Sequence, residues 1–133
     1  MKYEDREQLY KYLINDYGFK VIEEGYSPKI FGNFYDILAG KDILFKYVND
    51  RSIISIEVSK DMAEPEWYYI SLVKTLLYKE ATVDSVDIEK ENSFIKNEID
   101  KIAELFNDAN YPTTQKSLIK IRDQDFKKSF PGW

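Results

Sequence analysis

The chain has 133 residues, 24 acidic and 19 basic, for a net charge of −5, with 44% apolar and 32% charged residues. That size and balance describe one globular domain with a core of its own and exclude a disordered chain. With neither cysteine nor histidine, disulfides, thiolate nucleophiles and Ser-His-Asp or Cys-His triads are excluded, and a zinc centre has lost its usual ligands.

In chain order, residues 3–17 show the spacing of an amphipathic helix, with Leu9, Tyr10, Leu13, Ile14 and Tyr17 on one stripe and Gly18 placed to end it. Four strands follow: Phe19–Glu24, Asn33–Ala39, Ile43–Val48 and Ser52–Ser59. Gly40-Lys41-Asp42 and Asn49-Asp50-Arg51 are turn signals short enough to make the sheet an antiparallel meander. Pro65 suits the first position of a second helix, striped with Trp67, Ile70, Val73, Leu76 and Leu77. Residues 82–92 are acidic and fit either loop or helix. A third helix is expected over Ser93–Asn107, ended by Tyr111-Pro112, and a further one over Thr114–Lys128 before the tail Phe130–Trp133.

The order α-β-β-β-β-α-α, with an optional last α, predicts an α+β fold: a four-stranded antiparallel meander flanked by an N-terminal helix and two or three C-terminal helices. Strand alternation places Phe34, Asp36 and Leu38 on one sheet face and Tyr35, Ile37 and Ala39 on the other. Both faces are largely apolar. The second face is therefore expected to be covered by the termini or the third helix, or else to receive a partner.

The charged N-terminus MKYEDREQLY lacks the apolar stretch of a signal peptide, and no run of the sequence is apolar enough to span a bilayer. A cytoplasmic protein is the expectation. Net negative charge opposes nucleic-acid binding, and the basic stretch Lys116–Lys128 is interrupted by Asp123 and Asp125.

Few constellations suggest chemistry. A strand aspartate followed by Glu-x-Lys resembles the restriction-endonuclease-like nucleases, which hold Mg²⁺ between two carboxylates. Asp36 or Asp42 would be the first and Glu57 the second, but Ser59 stands where the lysine is needed and Lys60 follows one position late, on the opposite strand face. Asp84, Asp87, Glu89 and Glu91 lack the glycine and spacing of a calcium loop. Glycines 18, 32 and 40 are isolated and build no phosphate cradle. No cofactor is expected.

Aromatic residues make up 16% of the chain, eleven of them tyrosine, a composition suited to both cores and interfaces. Trp67, Tyr68 and Tyr69 are consecutive and, on a helix, cannot all face one core.

Several features together resemble the small acidic immunity proteins of bacterial contact-dependent and polymorphic toxin systems. They are the amphipathic first helix, Phe31-Gly32-Asn33 entering a meander, the Asn49-Asp50-Arg51 turn, Pro65-Glu66-Trp67-Tyr68, Arg122 and the Phe-Pro-Gly-Trp tail. The resemblance implies a non-enzymatic inhibitor, without catalytic residues, metal or cofactor. Its partner would be a cognate toxin with a basic surface, often a nuclease, rather than nucleic acid or membrane. Candidate contacts are Glu23, Glu24, Tyr26, Tyr35, Asp36, Trp67, Tyr68 and Tyr69. A degenerate nuclease using Asp36, Glu57 and Lys60, and a structural subunit forming a homodimer through its sheet face, are the alternatives.

Overall fold

Residues 2–80 and 87–129 are described in the computed structural model of the chain, with side chains as far as residue 125. Asp84 of the acidic segment and the tail Phe130–Trp133 lie outside the described residues. A 3₁₀ helix over Tyr3–Leu9 leads into helix α1 (Lys11–Tyr17). Strands β1 (Lys20–Ser27), β2 (Asn33–Gly40), β3 (Ile43–Asp50) and β4 (Ile53–Ser59) follow, then a two-residue strand β5 (Tyr68–Tyr69). Helices α2 (Ile70–Tyr78), α3 (Ile88–Leu105) and α4 (Tyr111–Ser129) complete the chain.

The fold is α+β, and its sheet is antiparallel with strands in the order β1-β2-β3-β4-β5. The meander is as expected, but with one strand more. Tyr68 and Tyr69 do not open the second helix. They pair with Val58 and Glu57 at the edge of β4 and satisfy backbone groups that would otherwise face water. Helix α2 therefore starts at Ile70, not at Pro65. Helix α3 begins earlier than expected because Asp87 caps it, accepting hydrogen bonds from Glu89 N and Lys90 N at 3.1 and 3.3 Å. Tyr111-Pro112 opens α4 rather than closing α3, a position where the missing proline N–H costs nothing.

Three tight turns have both central residues in the left-handed region: Phe31-Gly32, Lys41-Asp42 and Arg51-Ser52. This handedness matches the twist of paired strands and fixes register at the two hairpins joining β2, β3 and β4.

One face of the sheet carries the core. Leu38, Phe45, Val58 and Tyr68 lie on one rung, Asp36, Tyr47 and Ile56 on another. Onto that face pack Leu9, Tyr10 and Leu13, Ile70, Leu72 and Val73, Phe94, Ile95, Ile99 and Ile102, and Leu118, so every described helix and the 3₁₀ segment reach the same cluster. Polar bonds supplement this packing. The Tyr12 and Tyr47 hydroxyls lie 2.9 Å apart, and both reach Asn92 Oδ1, at 3.0 and 2.6 Å. The Asn92 amide in turn donates to the Leu9 carbonyl at 3.0 Å.

Two substitutions test this packing. A Cβ at Gly40 would sit 2.6 Å from the ring of Phe19, which is buried and hemmed in. A Cβ at Gly25 would collide with the Tyr35 ring, but that ring is part-exposed and able to turn aside. Gly40→Ala is expected to lower unfolding free energy by about 1–3 kcal/mol, and Gly25→Ala by less than about 1 kcal/mol, in urea titrations.

Glu91 gives a pH test. Burial, helped by the charge of Asp87 and opposed by Lys74, pushes its carboxyl from 4.5 up to about 7. A raised folded value means that the folded state holds a proton that the unfolded chain has released. Stability tied to this group is thus full below the unfolded value and lost as pH rises through about 7. Glu91→Gln is expected to match the parent near about pH 4 and exceed it near about pH 8, by on the order of 1 kcal/mol once partial solvent screening is allowed for. Thermal melts at the two pH values check this.

Candidate functional site

The eight expected contact residues do not form one surface, because neighbours on a strand point to opposite faces. Glu24, Tyr26, Asp36 and Tyr68 share the face that carries the core, whereas Glu23, Tyr35 and Tyr69 share the other. Asp36 and Tyr68 are fully buried, with exposures of 0% and 1%, and offer nothing to a partner docking on the folded protein. Trp67 lies beneath the Lys46 ammonium, 4.4 Å from ring centroid to Nζ, and Lys46 also pairs with Glu57 at 3.7 Å. On that second face the Tyr35 hydroxyl donates to Glu23 at 3.1 Å. The polar ends of Lys46, Glu57, Tyr35 and Glu23 thus lie over a face where Ile37 and Leu44 are nonetheless buried.

Asp36, Glu57 and Lys60 do not assemble. Asp36 lies on the rung with Tyr47 and Ile56, Glu57 on the rung with Ile37 and Lys46, so the sheet separates the two carboxylates. Lys60 pairs instead with Asp108 and with Asp61. Among the described residues, no group of three or more Asp or Glu side chains is placed to hold a metal ion. Asp87 of the acidic segment is occupied as a helix cap.

What the structure does bring together is centred on Arg6. Its Nη2 reaches Glu24 at 3.0 Å, its Nη1 donates to the Tyr3 carbonyl at 3.2 Å, and its Nε lies 3.2 Å from Asp36 Oδ2. The same Asp36 oxygen accepts from the Tyr10 hydroxyl at 2.6 Å, while Oδ1 is buried without a partner among the described residues. Burial pushes the Asp36 carboxyl above its ordinary range, against the opposing effects of Tyr10 and Arg6. Burial and the bond to Asp36 likewise push the Tyr10 hydroxyl up. The guanidinium carbon of Arg6 stands 4.0 Å from the Tyr3 ring centroid, and Tyr3 stacks on Tyr26 at 3.8 Å and 7°. A buried carboxylate therefore sets an arginine, the arginine a tyrosine, and that tyrosine a second at the surface.

Beside this stack lies the most exposed apolar part of the described chain. Phe31 is 73% exposed, Ile30 57% and Tyr26 46%, while Ile53, 65% exposed, emerges at the same end of the sheet but on β4 and on the opposite face from Tyr26. The Phe31 turn is closed by Asn33 N–H to the Ile30 carbonyl at 3.0 Å. It is tied to the next hairpin, since Arg51 N–H donates to Asn33 Oδ1 at 2.8 Å and the Asn33 amide to Asp50 at 3.3 Å. Phe31 has φ 56°, a conformation that costs a non-glycine residue roughly 1 kcal/mol or more. Between this turn and the 3₁₀ helix lies an open groove of about 660 Å³, lined by aromatic and carboxylate side chains. Tyr26 and Glu24 were legible as candidates, but Phe31, Ile30, Tyr3 and Arg6 were not. Phe31 beside Gly32 was the available signal: an aromatic residue in a turn position that favours glycine or asparagine.

Comparison with protein-family models, with curated proteins and with solved structures gives no match. None of the described helices is long and apolar enough to cross a membrane.

Arg6→Met keeps the apolar stem and removes the charge, leaving Asp36 buried without its counterion. It is expected to cost about 3 kcal/mol at neutral pH. The deficit should shrink towards pH 4, where protonation relieves the carboxylate. Urea unfolding of both proteins across that range measures it.

Proposed function

We propose that this protein is a non-enzymatic, immunity-type inhibitor that binds a cognate bacterial toxin in the cytoplasm, through the end of the sheet where Tyr26, Ile30, Phe31 and Ile53 emerge. The observation that carries the reading is Phe31: a large apolar ring, mostly in water, held at positive φ on a turn braced by its neighbour. Burying such a ring in a partner's pocket recovers transfer free energy that the free protein forgoes, and aromatic anchors of this kind dominate interface energetics. Its backbone is already fixed, so little ordering entropy is lost on binding.

Charge supports the partner's sign. The whole chain carries −5, whereas at this end of the sheet the exposed acids Glu4, Asp5 and Asp50 are matched by the exposed bases Lys2, Lys29 and Arg51, and Glu24 pairs with Arg6. A basic toxin would be drawn to the protein by that net charge and would bind it faster at low ionic strength.

Co-expression with the product of the adjacent gene tests the reading. The expected result is a co-purifying complex and relief of toxicity. Phe31→Ser should weaken the complex by about 2 kcal/mol, about thirtyfold, with the thermal melt of the free protein unchanged or raised. Absence of both complex and protection would sink the proposal. A complex indifferent to Phe31→Ser would move the interface elsewhere.

A further inference from the structure

We infer that the groove between the 3₁₀ helix and the Ile30–Asn33 turn is a socket for a guanidinium, taking an arginine side chain presented by the bound protein. Identifying that protein as a toxin rests on the reading above, whereas the chemistry of the socket does not.

The groove is lined by Tyr3, Tyr26 and Phe31 together with Glu4, Asp5 and Lys2. Three aromatic rings and an excess of carboxylate over ammonium form the surroundings a weakly hydrated planar cation prefers. The protein already uses its own arginines this way on two of the three rings. Arg6 sits 4.0 Å from the Tyr3 centroid, and Arg51 sits 5.4 Å from the Phe31 centroid.

Stacking geometry leaves room for one more cation. Arg6 and the Tyr26 ring lie 4.0 and 3.8 Å from the Tyr3 centroid, too close to share a side, so they occupy opposite faces of Tyr3. The sequence in space is therefore Asp36, Arg6, Tyr3, Tyr26. Tyr26 has one face on Tyr3 and remains 46% exposed. A guanidinium laid on its outer face would close the two-ring stack with a cation at each end, in a groove whose lining includes the carboxylates of Glu4 and Asp5.

Arginine fits better than lysine, because a flat guanidinium both stacks and donates in bidentate fashion to carboxylate, whereas an ammonium is a compact, strongly hydrated charge. A nucleobase could also stack on these rings, but the net charge of −5 opposes a strand of phosphates.

An amide-resolved NMR titration of the intact chain tests this. The probes are short peptides of otherwise uncharged residues carrying one arginine, one lysine or one citrulline, and a single-stranded oligonucleotide. The arginine peptide should shift the amides of Lys2, Tyr3, Glu4, Asp5, Tyr26 and Gly32 saturably. The neutral citrulline isostere should bind about tenfold more weakly, the lysine peptide in between, and the oligonucleotide not at this site. Phe31→Ala, and Glu4→Gln with Asp5→Asn, should each cost the arginine peptide about tenfold while amides elsewhere stay in place, which reports an intact fold. Equal binding of arginine and citrulline, no shift at these amides, or saturation by the oligonucleotide would each overturn the socket. If the arginine peptide fails while the protein complex still depends on Phe31, the inhibitor reading survives without the socket. If the peptide binds but no complex forms, the socket stands and the toxin reading falls.

Discussion

A carboxylate with no access to water governs the N-terminal half of this molecule. Asp36 sits in the middle of β2, on the face that carries the core. Such a charge is tolerable only with a counterion and hydrogen bonds in place, and both come from the first ten residues. Tyr10 supplies the hydroxyl and Arg6 the charge. The 3₁₀ helix thus has one seat on the sheet, although a run of this length in 3₁₀ geometry is otherwise uncommon. The Tyr12, Tyr47 and Asn92 cluster fixes α1 in the same manner. Direction-dependent bonds, rather than apolar contact alone, give this segment its single orientation, and with it the placement of Tyr3 against Tyr26.

The sheet divides labour between its faces and its ends. One face holds the core, and the other is crossed by the ladder Glu23, Ile37, Lys46, Glu57 and Tyr69, in which Lys46 pairs with Glu57 and Glu23 accepts from the neighbouring Tyr35. At the end where β1 turns into β2 and β3 into β4, no such pairing absorbs the exposed apolar groups, and two turns brace each other through Asn33. Rigid strands carrying short, cross-linked turns are a scaffold for presenting side chains at fixed separation.

Much of this architecture was legible in the sequence. The stripe Leu9, Tyr10 and Leu13, the Gly18 cap, the Lys41-Asp42 hairpin and the alternation along β2 and β3 follow from periods of 3.6 and 2 that local sterics impose. Other elements were hidden for definite reasons. A two-residue strand such as Tyr68–Tyr69 is too short to show a period, and Pro65 ahead of an apolar stripe imitates a helix start. Proline after Tyr111 signals an end or a beginning equally well. The candidate site was the least legible part. Arg6 and Asp36 are thirty positions apart in the chain, and only the closed sheet shows that one neutralises the other. The nuclease-like set failed at two places: Asp36 and Glu57 stand on adjacent rungs and so on opposite faces of the sheet, and Lys60, just past the end of β4, pairs with Asp108 and Asp61.

The turn at Phe31 has an implication for anyone who breeds this protein for heat resistance. Glycine or asparagine at that position would relieve the left-handed strain and remove a ring from water, a gain of roughly 1 kcal/mol against the loss of one exposed contact with Arg51. A library selected only for surviving heat should therefore discard Phe31 early, along with other positions whose side chains serve something besides the fold. Sequencing the survivors would then map, from what disappears, the surface that the native chain keeps at the expense of its own stability.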